Sequence, residues 1–284
     1  MGYTAGMIAN ELLWEVQDTG VQSAEANMRF DTHLLEEADR LEKPVLHLYE
    51  WAGASATYGY FLDPTSVVRL SRAEKLGLSL ARRPTGGGMV FHLWDWAFSL
   101  VMPAHVPEFS INPLDNYAFV NCAVLNTVKE FSQGMALGMI LEDFPELDPS
   151  CRFFCMAKPT KYDVMWQGKK IAGAAQRKTR KGFLHQGTLS LSLPDAAYLQ
   201  ELLIPGTAVL EAMRLHTFPL LGASASAAEI TEAKRVLSTL LATHLSKLSL
   251  EYRSREDRVM RGDPHVRERQ NANSNSTHAA RELP

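Results

Sequence analysis

A cysteine and a lysine that could act together lie fifteen positions apart in the stretch 155–176, CMAKPTKYDVMWQGKKIAGAAQ. Cys155 opens the stretch and Lys170 lies in its middle. A thiol near an ammonium is favoured as the reactive thiolate and could act as a nucleophile that forms a covalent intermediate. A lone cysteine is otherwise most often a small buried residue that packs like a hydrophobe. The surrounding sequence must therefore decide between a nucleophile and a packing residue.

A second stretch, RRPTGGGMVFH at 82–92, could hold a ligand through its backbone. Consecutive glycines can adopt positive φ and approach a ligand closely, and their N–H groups can surround a carbonyl, a carboxylate or a phosphate. The spacing matches neither the dinucleotide-binding fingerprint nor the Walker loop. From its glycines alone, a flexible hairpin loop beside two surface arginines is an equally good interpretation.

Two further stretches carry the same kind of signal, GKKIAGAAQRK at 168–178 and FLHQGTLSL at 183–191. Small residues after Lys170 leave room for a ligand, and a fixed ammonium could stabilise an oxyanion. Taken alone, the first stretch is more simply an ordinary turn with solvated lysines. On the second, His185 is most often a core residue, and Gly187 marks a bulge or a close backbone approach.

Composition narrows the class of protein. The 284 residues are 46% hydrophobic, which allows one large domain with at most a small appendage. A net charge of −3 gives no indication of a general affinity for nucleic acids or membranes. The three cysteines, Cys122, Cys151 and Cys155, form no C-x-x-C pair, so we expect neither a disulfide framework nor a structural zinc site.

The first twenty residues contain no Lys or Arg, unlike a signal or transit peptide. No apolar run reaches the length of roughly 18 residues that a membrane-spanning helix needs. We therefore expect a soluble, cytoplasmic protein.

The chemistry-bearing stretches must be positioned by strands. Strands are predicted over 45–51 and 55–61 around a turn at Gly53, over 78–83 and 88–102 flanking the glycine-rich turn, and over 161–166, 170–178 and 183–193 as an antiparallel meander. Helices and antiparallel strands mix without regular βαβ alternation. This pattern predicts the α+β class, with a mixed or antiparallel sheet packed against helices.

The clearest amphipathic helix is predicted over 112–134, ending at Gly134. Its apolar face carries Tyr117, Val120, Val124 and Val128. Further helices are predicted over 22–41, with Ser23 as the N-cap, and over 64–77, 193–203, 207–216 and 226–248. The polar sequence beyond about Tyr252 predicts disorder.

The glycine-rich and lysine-containing stretches occur together in an order that resembles one enzyme family. The matching segments are R-R-x-T-G-G-G-x-V-x-H at 82–92, G-K-K-I-A-G-x-A-Q at 168–176, H-x-G-T-L at 185–189 and N-M-x-x-D-x-x-L-L beginning at Asn27. The set is similar to that of lipoate–protein ligases and octanoyltransferases, which share a catalytic domain with biotin ligases. The resemblance covers about residues 25–245.

The resemblance implies a biotin/lipoate ligase-like catalytic domain over 23–250, with an N-terminal extension at 1–22 and a disordered polar tail at 251–284. It implies transfer of an octanoyl or lipoyl group to a lysine of a small carrier domain. Its implied acyl- and substrate-binding residues are Arg83, Thr85, Gly86, Gly87, Gly88, His92, Gly173, Ala175, His185, Gly187 and Thr188. Cys155 and Lys170 are the implied catalytic residues, and no metal ligand is implied.

Two chemistries remain open within this family, and the thiol discriminates between them. A ligase forms an acyl-adenylate and needs ATP and Mg, whereas a transferase takes the acyl group from a carrier-protein thioester, needs no cofactor, and benefits from its own thiol. Cys155 precedes Pro159 and the Tyr162 strand in a register that resembles a transferase branch in which the cysteine is acylated. Cys151 does not keep that spacing. We expect Cys122 to pack within the helix over 112–134.

The expected donor is an acyl-carrier or lipoyl-carrier protein. The expected acceptor is a lipoyl domain of a 2-oxoacid dehydrogenase or a glycine cleavage H-type protein, with no nucleic-acid or membrane partner. A basic face could steer acidic carrier domains, although lysines on an edge strand also deter aggregation. The rival interpretations are an ATP-dependent ligase, a non-catalytic binder of lipoyl domains or lipoate, and, more remotely, a biotin ligase.

Overall fold

The computed structural model describes residues 13–133, 137–141 and 153–260, with side chains described as far as residue 255. Its strands are β1 (Glu15–Gln22), β2 (Val45–Trp51), β3 (Ser55–Tyr58), β4 (Ser79–Arg82), β5 (Met89–His92), β6 (Asp95–Pro103), β7 (Gly138–Met139), β8 (Val164–Trp166), β9 (Lys169–Lys178) and β10 (Gly182–Ser190). Its α-helices are α1 (Ala24–Glu36), α2 (Leu70–Lys75), α3 (Pro113–Phe131), α4 (Ala196–Leu202), α5 (Val209–His216) and α6 (Ala227–Met260). The α+β class is confirmed.

The strands form two sheets. The larger sheet has the order β1-β2-β6-β10-β9-β8-β7, in which β1 and β2 are parallel and the other neighbours are antiparallel. The smaller sheet has the order β4-β3-β5, with β3 parallel to β4 and antiparallel to β5. The meander predicted from the sequence is confirmed as β8, β9 and β10.

Two other strand predictions need correction. The turn after β2 contains Gly53 at φ +93°, and it directs β3 into the smaller sheet instead of back along β2. The strands on either side of the glycine-rich loop, β4 and β5, both pair with β3 and not with each other. The loop is therefore a crossover over the end of β3, which brings its backbone against other parts of the chain.

Helices α1 and α3 begin where their sequences predict, whereas the helix predicted over 64–77 spans only Leu70–Lys75. Ser23 accepts a hydrogen bond from the backbone N–H of Ala26 at the start of α1, as predicted. Asn112 caps α3 in the same way, and the predicted apolar face of α3 packs into the main core through Val120, Val124 and Val128. Gly134, the predicted end of α3, lies outside the described residues.

The main core lies between the larger sheet and helices α3 and α6. Helix α6 contributes Leu237, Leu241 and Leu245, all fully buried. A second core cluster fills the space between the smaller sheet and helices α2, α4 and α5. None of the helices in the described part of the chain has the length and apolar content to span a membrane.

Secondary structure extends into both of the segments predicted to flank the catalytic domain. Strand β1 lies within the predicted N-terminal extension, and α6 continues past residue 250 to Met260. The indole of Trp14 is buried and donates a hydrogen bond to Ser249 at 3.0 Å, and Arg253 pairs with Glu108 at 2.8 Å. These contacts attach residues of the predicted flanking segments to the catalytic domain. The sequence beyond Met260 lies outside the described residues.

Candidate active site

One cavity collects most of the predicted site residues. It has a volume of about 450 Å³, including its open mouth, and lies between the glycine-rich loop, strands β5, β9 and β10, and the segment that carries Cys155. The predicted site residues in its wall are Arg83, His92, Cys155, Lys170, Gly173, Ala175, Gly187 and Thr188. Most of the remaining wall is apolar or aromatic and includes Met28, Tyr49, Trp51, Val90 and Ala97. The wall could therefore hold an apolar chain whose end lies against the Cys155 thiol.

The Cys155 sulfur meets the glycine-rich loop. Its Sγ accepts the backbone N–H of Gly88 at 2.8 Å and lies 3.7 Å from Nη2 of Arg83. The Cys155 backbone N–H donates to the Met89 carbonyl, which ties the segment to β5. The half-buried thiol thus lies between a backbone N–H donor and a guanidinium, at the edge of the cavity.

Close packing against this segment requires two of the three loop glycines. A Cβ on Gly87 would lie 2.8 Å from the Cys155 sulfur, and Gly87 has φ +96°. A Cβ on Gly88 would lie 2.7 Å from the Phe153 carbonyl oxygen. A Cβ on Gly86 would meet nothing within 4 Å. The glycine run therefore shapes a surface that receives the cysteine segment.

Arg83 holds the loop in this shape. Its Nη1 donates to the carbonyl and the hydroxyl of Thr57, both at 2.9 Å, and its Nη2 donates to the carbonyls of Gly86 and Gly88. The side chain is 5% exposed. This arginine is thus a buried charge beside the thiol, and not the surface residue that the loop alone suggested.

Lys170 lies next to Cys155, but it bonds to the peptide backbone. Its Nζ donates to the carbonyls of Cys155 at 3.1 Å and Lys158 at 3.0 Å, and it pairs with Oδ2 of Asp163 at 2.8 Å. A Cβ on Gly173 would lie 1.9 Å from its Cε. The three N–H groups of the ammonium therefore each have an acceptor, and the glycine leaves room for the side chain.

Asp163 was missed as a site residue. It is fully buried, its Oδ2 accepts both the N–H and the hydroxyl of Thr160, and its Oδ1 accepts the hydroxyl of Tyr117. Burial and the charge of Asp163 raise the pKa of Tyr117. The sequence did hold one signal for Asp163: it is the single acid among the eight basic residues of 158–181. Because a buried lysine needs a counter-charge, this acid was the candidate to pair with Lys170.

A hydrogen-bonded chain runs from Arg83 to the far side of the cavity. Thr57 Oγ1 lies 2.8 Å from His92 Nε2, and His92 Nδ1 lies 2.7 Å from Asp95 Oδ2. The His92 ring stacks on Trp51 with 4.0 Å between ring centroids. Burial raises the pKa of Asp95, but the adjacent His92 and the hydrogen bonds outweigh it and hold the pKa below its usual value. His92 is thus fixed in orientation as one wall of the cavity.

The other predicted residues lie behind the wall. Thr85 donates to Oε1 of Gln186, whose Nε2 donates to Asp31 at 2.6 Å, so that the Gln186 amide in the cavity wall is fixed at both ends. Asp31, on α1, also holds His47 and Ser99. Asp31 is the aspartate of the N-M-x-x-D segment, and its role in the structure is to hold this buried network together.

His185 does not line the cavity. It projects from the opposite face of β10, with Nδ1 2.9 Å from Gln176 Nε2 and its ring against Phe98 and Tyr117. Complete burial lowers its pKa to about 3, so it is neutral in the folded protein. Gly187 lies beside Phe98, where a Cβ would be 2.4 Å from the ring. His185 therefore lies behind the cavity wall, on the opposite face of β10.

Cys122 is not among the residues that line the cavity. Cys122 is half-buried on α3, and burial raises the pKa of its thiol. Cys151 lies outside the described residues.

Curated relatives and a family model match this chain. The model of the lipoyl protein ligase A/B catalytic domain matches residues 23–214. The octanoyltransferase LipM of Lysinibacillus sphaericus is 28% identical over 191 residues, which cover 66% of this chain and 68% of the relative. LipM of Carboxydothermus hydrogenoformans is 30% identical, over 63% of this chain and 65% of the relative. LipM of Bacillus subtilis is 26% identical, over 71% of this chain and 73% of the relative. The alignments thus span about two thirds of these relatives.

Solved structures agree on the fold. A putative lipoate protein ligase of T. acidophilum with bound lipoic acid superposes with a TM-score of 0.57 at 22% identity, over 84% of this chain and 92% of that chain. A lipoate-protein ligase A bound with ATP gives a TM-score of 0.56 at 24% identity over the same shares. The predicted fold is thereby confirmed, and since the family model matches more than half of the sequence, the chain belongs to the lipoyl protein ligase A/B catalytic domain family.

Proposed function

We propose that this protein is an octanoyltransferase of the lipoate pathway that works through a Cys155 thioester. The observation that carries the proposal is the thiol itself, held between the Gly88 N–H and the Arg83 guanidinium at an apolar cavity. An adenylate-forming ligase has no use for a thiol so placed. The relatives named octanoyltransferase LipM support the same reaction.

The first half-reaction acylates the enzyme. The Cys155 thiolate attacks the carbonyl of a carrier-protein thioester, the new S–C bond forms, and the carrier thiol leaves with the proton that Cys155 gave up. Arg83 and the Gly88 N–H stabilise the thiolate before attack. The acyl chain occupies the cavity between Trp51, His92 and the small residues of β9.

The second half-reaction transfers the acyl group to a lysine of a lipoyl domain. The acceptor amine attacks the enzyme thioester, the amide bond forms as the thioester C–S bond breaks, and the proton lost by the amine passes to the Cys155 sulfur, which leaves as the thiol. Lys170 fixes the peptide that follows the thiol through the Cys155 and Lys158 carbonyls. To contact the oxyanion directly, its ammonium must release one of these carbonyls.

The partners follow from this reaction. The donor is an acyl-carrier protein and the acceptor a lipoyl domain of a 2-oxoacid dehydrogenase or a glycine cleavage H-type protein. A solved neighbour is described as a bipartite lipoate protein ligase with its E2 lipoyl domain. No cofactor is needed, whereas the rival ligase reaction uses ATP and Mg.

Intact-mass measurement tests the proposal. Incubation with octanoyl-carrier protein should add one octanoyl group to the wild type and to Cys151→Ala, but none to Cys155→Ala. The adduct should disappear when a lipoyl domain is added, with the octanoyl group recovered on that domain. Formation of acyl-adenylate from ATP and free lipoate, without any protein adduct, would instead establish the ligase. Binding of lipoyl domains without transfer from any donor would establish a non-catalytic binder.

A further inference from the structure

A second cavity adjoins the acyl cavity. It has a volume of about 360 Å³ including its open mouth, and it shares Val90, Met156 and Thr188 with the first cavity. Cys155 lines the first cavity, whereas its neighbours Phe154 and Met156 line the second. The thiol therefore lies beside the boundary between two enclosed spaces, of which the proposed acyl chain fills one.

The second cavity is lined by Asp95, whose carboxylate has one oxygen without a hydrogen-bond partner in the described part of the chain. Asp95 does not line the first cavity, and the residue is 8% exposed. Oδ2 is bound by His92 and Thr188, but Oδ1 is buried and has no hydrogen-bond partner within the described part of the chain. Buried carboxylate oxygens are normally paired, so Oδ1 calls for an N–H or O–H donor from a bound group.

The rest of the wall defines the group that would fit. It is apolar on most sides, through Phe91, Trp94, Phe154, Leu193 and Met213, and Ser190, Ser192 and Thr217 add hydroxyl groups. No Lys or Arg is among the residues that line it. A slender, largely apolar chain with amide groups matches this wall, whereas the phosphates of a nucleotide would lack a counter-charge within it.

We propose that this second cavity binds the amide-bearing thiol arm of the acyl donor, with an amide N–H of the arm donated to Asp95 Oδ1. The inference rests on the proposed thioester transfer. The acyl chain lies on one side of Cys155 and the arm on the other. When the S–C bond to Cys155 forms and the bond to the arm breaks, the arm leaves through the second cavity as the free thiol and carries the proton.

Two donors that differ only in the arm test this assignment. Acylation of Cys155 by octanoyl-pantetheine, which has amide groups, is compared by intact mass with acylation by the octanoyl thioester of 2-mercaptoethanol, which has none. A hydrogen bond to a charged acceptor predicts about ten- to hundredfold faster acylation by the pantetheine donor. Equal rates from the two donors would overturn the assignment while leaving thioester transfer intact.

The variants Ser192→Leu and Leu193→Phe place bulk in the second cavity, and Ser132→Leu, at the C-terminal cap of α3, is the matched control. Ser192→Leu and Leu193→Phe should remove most of the preference for pantetheine and leave the rate with the mercaptoethanol donor within about twofold of wild type. The control should keep the preference. Thermal unfolding of all three shows whether each is folded.

Three outcomes contradict the assignment in distinguishable ways. Equal slowing with both donors in folded variants would show that the second cavity does not distinguish the arm. Competition by ATP against octanoyl-pantetheine would assign the space to a nucleotide. Absence of an adduct from either donor in the wild type would overturn thioester transfer itself, and this inference with it.

Discussion

Individual glycines of the loop have different tasks. Gly86 has free space at its Cβ position, whereas Gly87 has φ +96° and faces the Cys155 sulfur. Gly86→Ala should therefore keep the rate of Cys155 acylation within about twofold of wild type. Gly87→Ala should lower it at least about tenfold, because strain of this kind costs about 1–3 kcal/mol. Intact-mass kinetics with octanoyl-carrier protein measures both, and equal losses would contradict the roles assigned to them.

The buried pair of Lys170 and Asp163 predicts a non-additive loss of stability. Asp163→Asn leaves the ammonium without its counter-charge and should lower the free energy of unfolding by about 3–5 kcal/mol. Adding Lys170→Met to this variant removes the stranded charge and should recover part of the loss. Urea unfolding of the two single variants and the double variant measures the coupling.

Simple additivity of the two changes would argue against a coupled pair. The rate of Cys155 acylation in the double variant distinguishes a structural role of Lys170 from a chemical one. Recovered stability without recovered acylation would show that Lys170 does more than hold the peptide.

His185 predicts a loss of stability on acidification. Its pKa is about 3 in the folded protein, against an ordinary value of 6.5. Below about pH 6.5 the unfolded chain binds a proton that the folded protein does not bind until about pH 3. The contribution of His185 is therefore complete above this window and falls by up to about 1.4 kcal/mol per pH unit within it.

A His185→Leu variant tests this dependence. Between about pH 7 and about pH 4.5 it should lose less unfolding free energy than the wild type. Packing changes affect both pH values alike, so the difference within each protein is its own control. An unchanged difference would mean that His185 binds its proton at the same pH in the folded protein as in the unfolded chain.

Sequence reasoning reached the residues that belong to motifs and missed those that pair with them. Lys170 and the loop glycines carry a local signature. Lys170 lies in the cavity wall, whereas Gly87 and Gly88 pack against the cysteine segment and do not line the cavity. Asp163 for Lys170, Thr57 for Arg83 and Asp95 for His92 have no such signature. Which acid pairs with which base depends on burial and contact, and neither is visible before the chain is folded.

At the scale of elements, local pairing was predictable and sheet membership was not. The meander of β8, β9 and β10 joins neighbours in sequence, so turn signals sufficed. Strands β4 and β5 also lie close in sequence, yet β3 is inserted between them. That insertion is a tertiary contact, and it is what converts the glycine-rich stretch from a hairpin turn into a loop against Cys155.

Strand β1 illustrates an element whose importance the sequence concealed. Trp14, just before it, is 2% exposed, whereas Val16 on the strand is 38% exposed. Trp14→Ala should lower the free energy of unfolding by about 3–5 kcal/mol, because it opens a cavity in the main core and removes the bond to Ser249. Denaturant titration measures this, with Val16→Ala as the control, which should change it by about 0.5 kcal/mol or less. Similar small effects from both would show that β1 is dispensable.

The whole molecule is larger than the segment that the family model matches. Strand β1 and helix α6 lie outside residues 23–214, yet they supply an edge of the larger sheet and the side chains Leu237, Leu241 and Leu245 to the core. A shortened protein of residues 23–214 should therefore lack a cooperative thermal transition, whereas residues 13–260 should keep one. Calorimetry of the two decides, and a cooperative transition in the shorter protein would contradict it.

The chain from Arg83 to Asp95 has one consequence for magnetic resonance. An ionised carboxylate can only accept, so His92 must carry a proton on Nδ1, facing Asp95. Thr57 Oγ1 accepts from Arg83 and still has a second lone pair and its own proton, so it can bond His92 Nε2 as an acceptor or as a donor. Nitrogen chemical shifts of His92 should therefore report a protonated Nδ1, whereas a free neutral imidazole usually carries its proton on Nε2. A group that binds Asp95 would change the polarisation of the hydrogen bonds from His92 through Thr57 to Arg83, beside the thiol, without displacing any heavy atom.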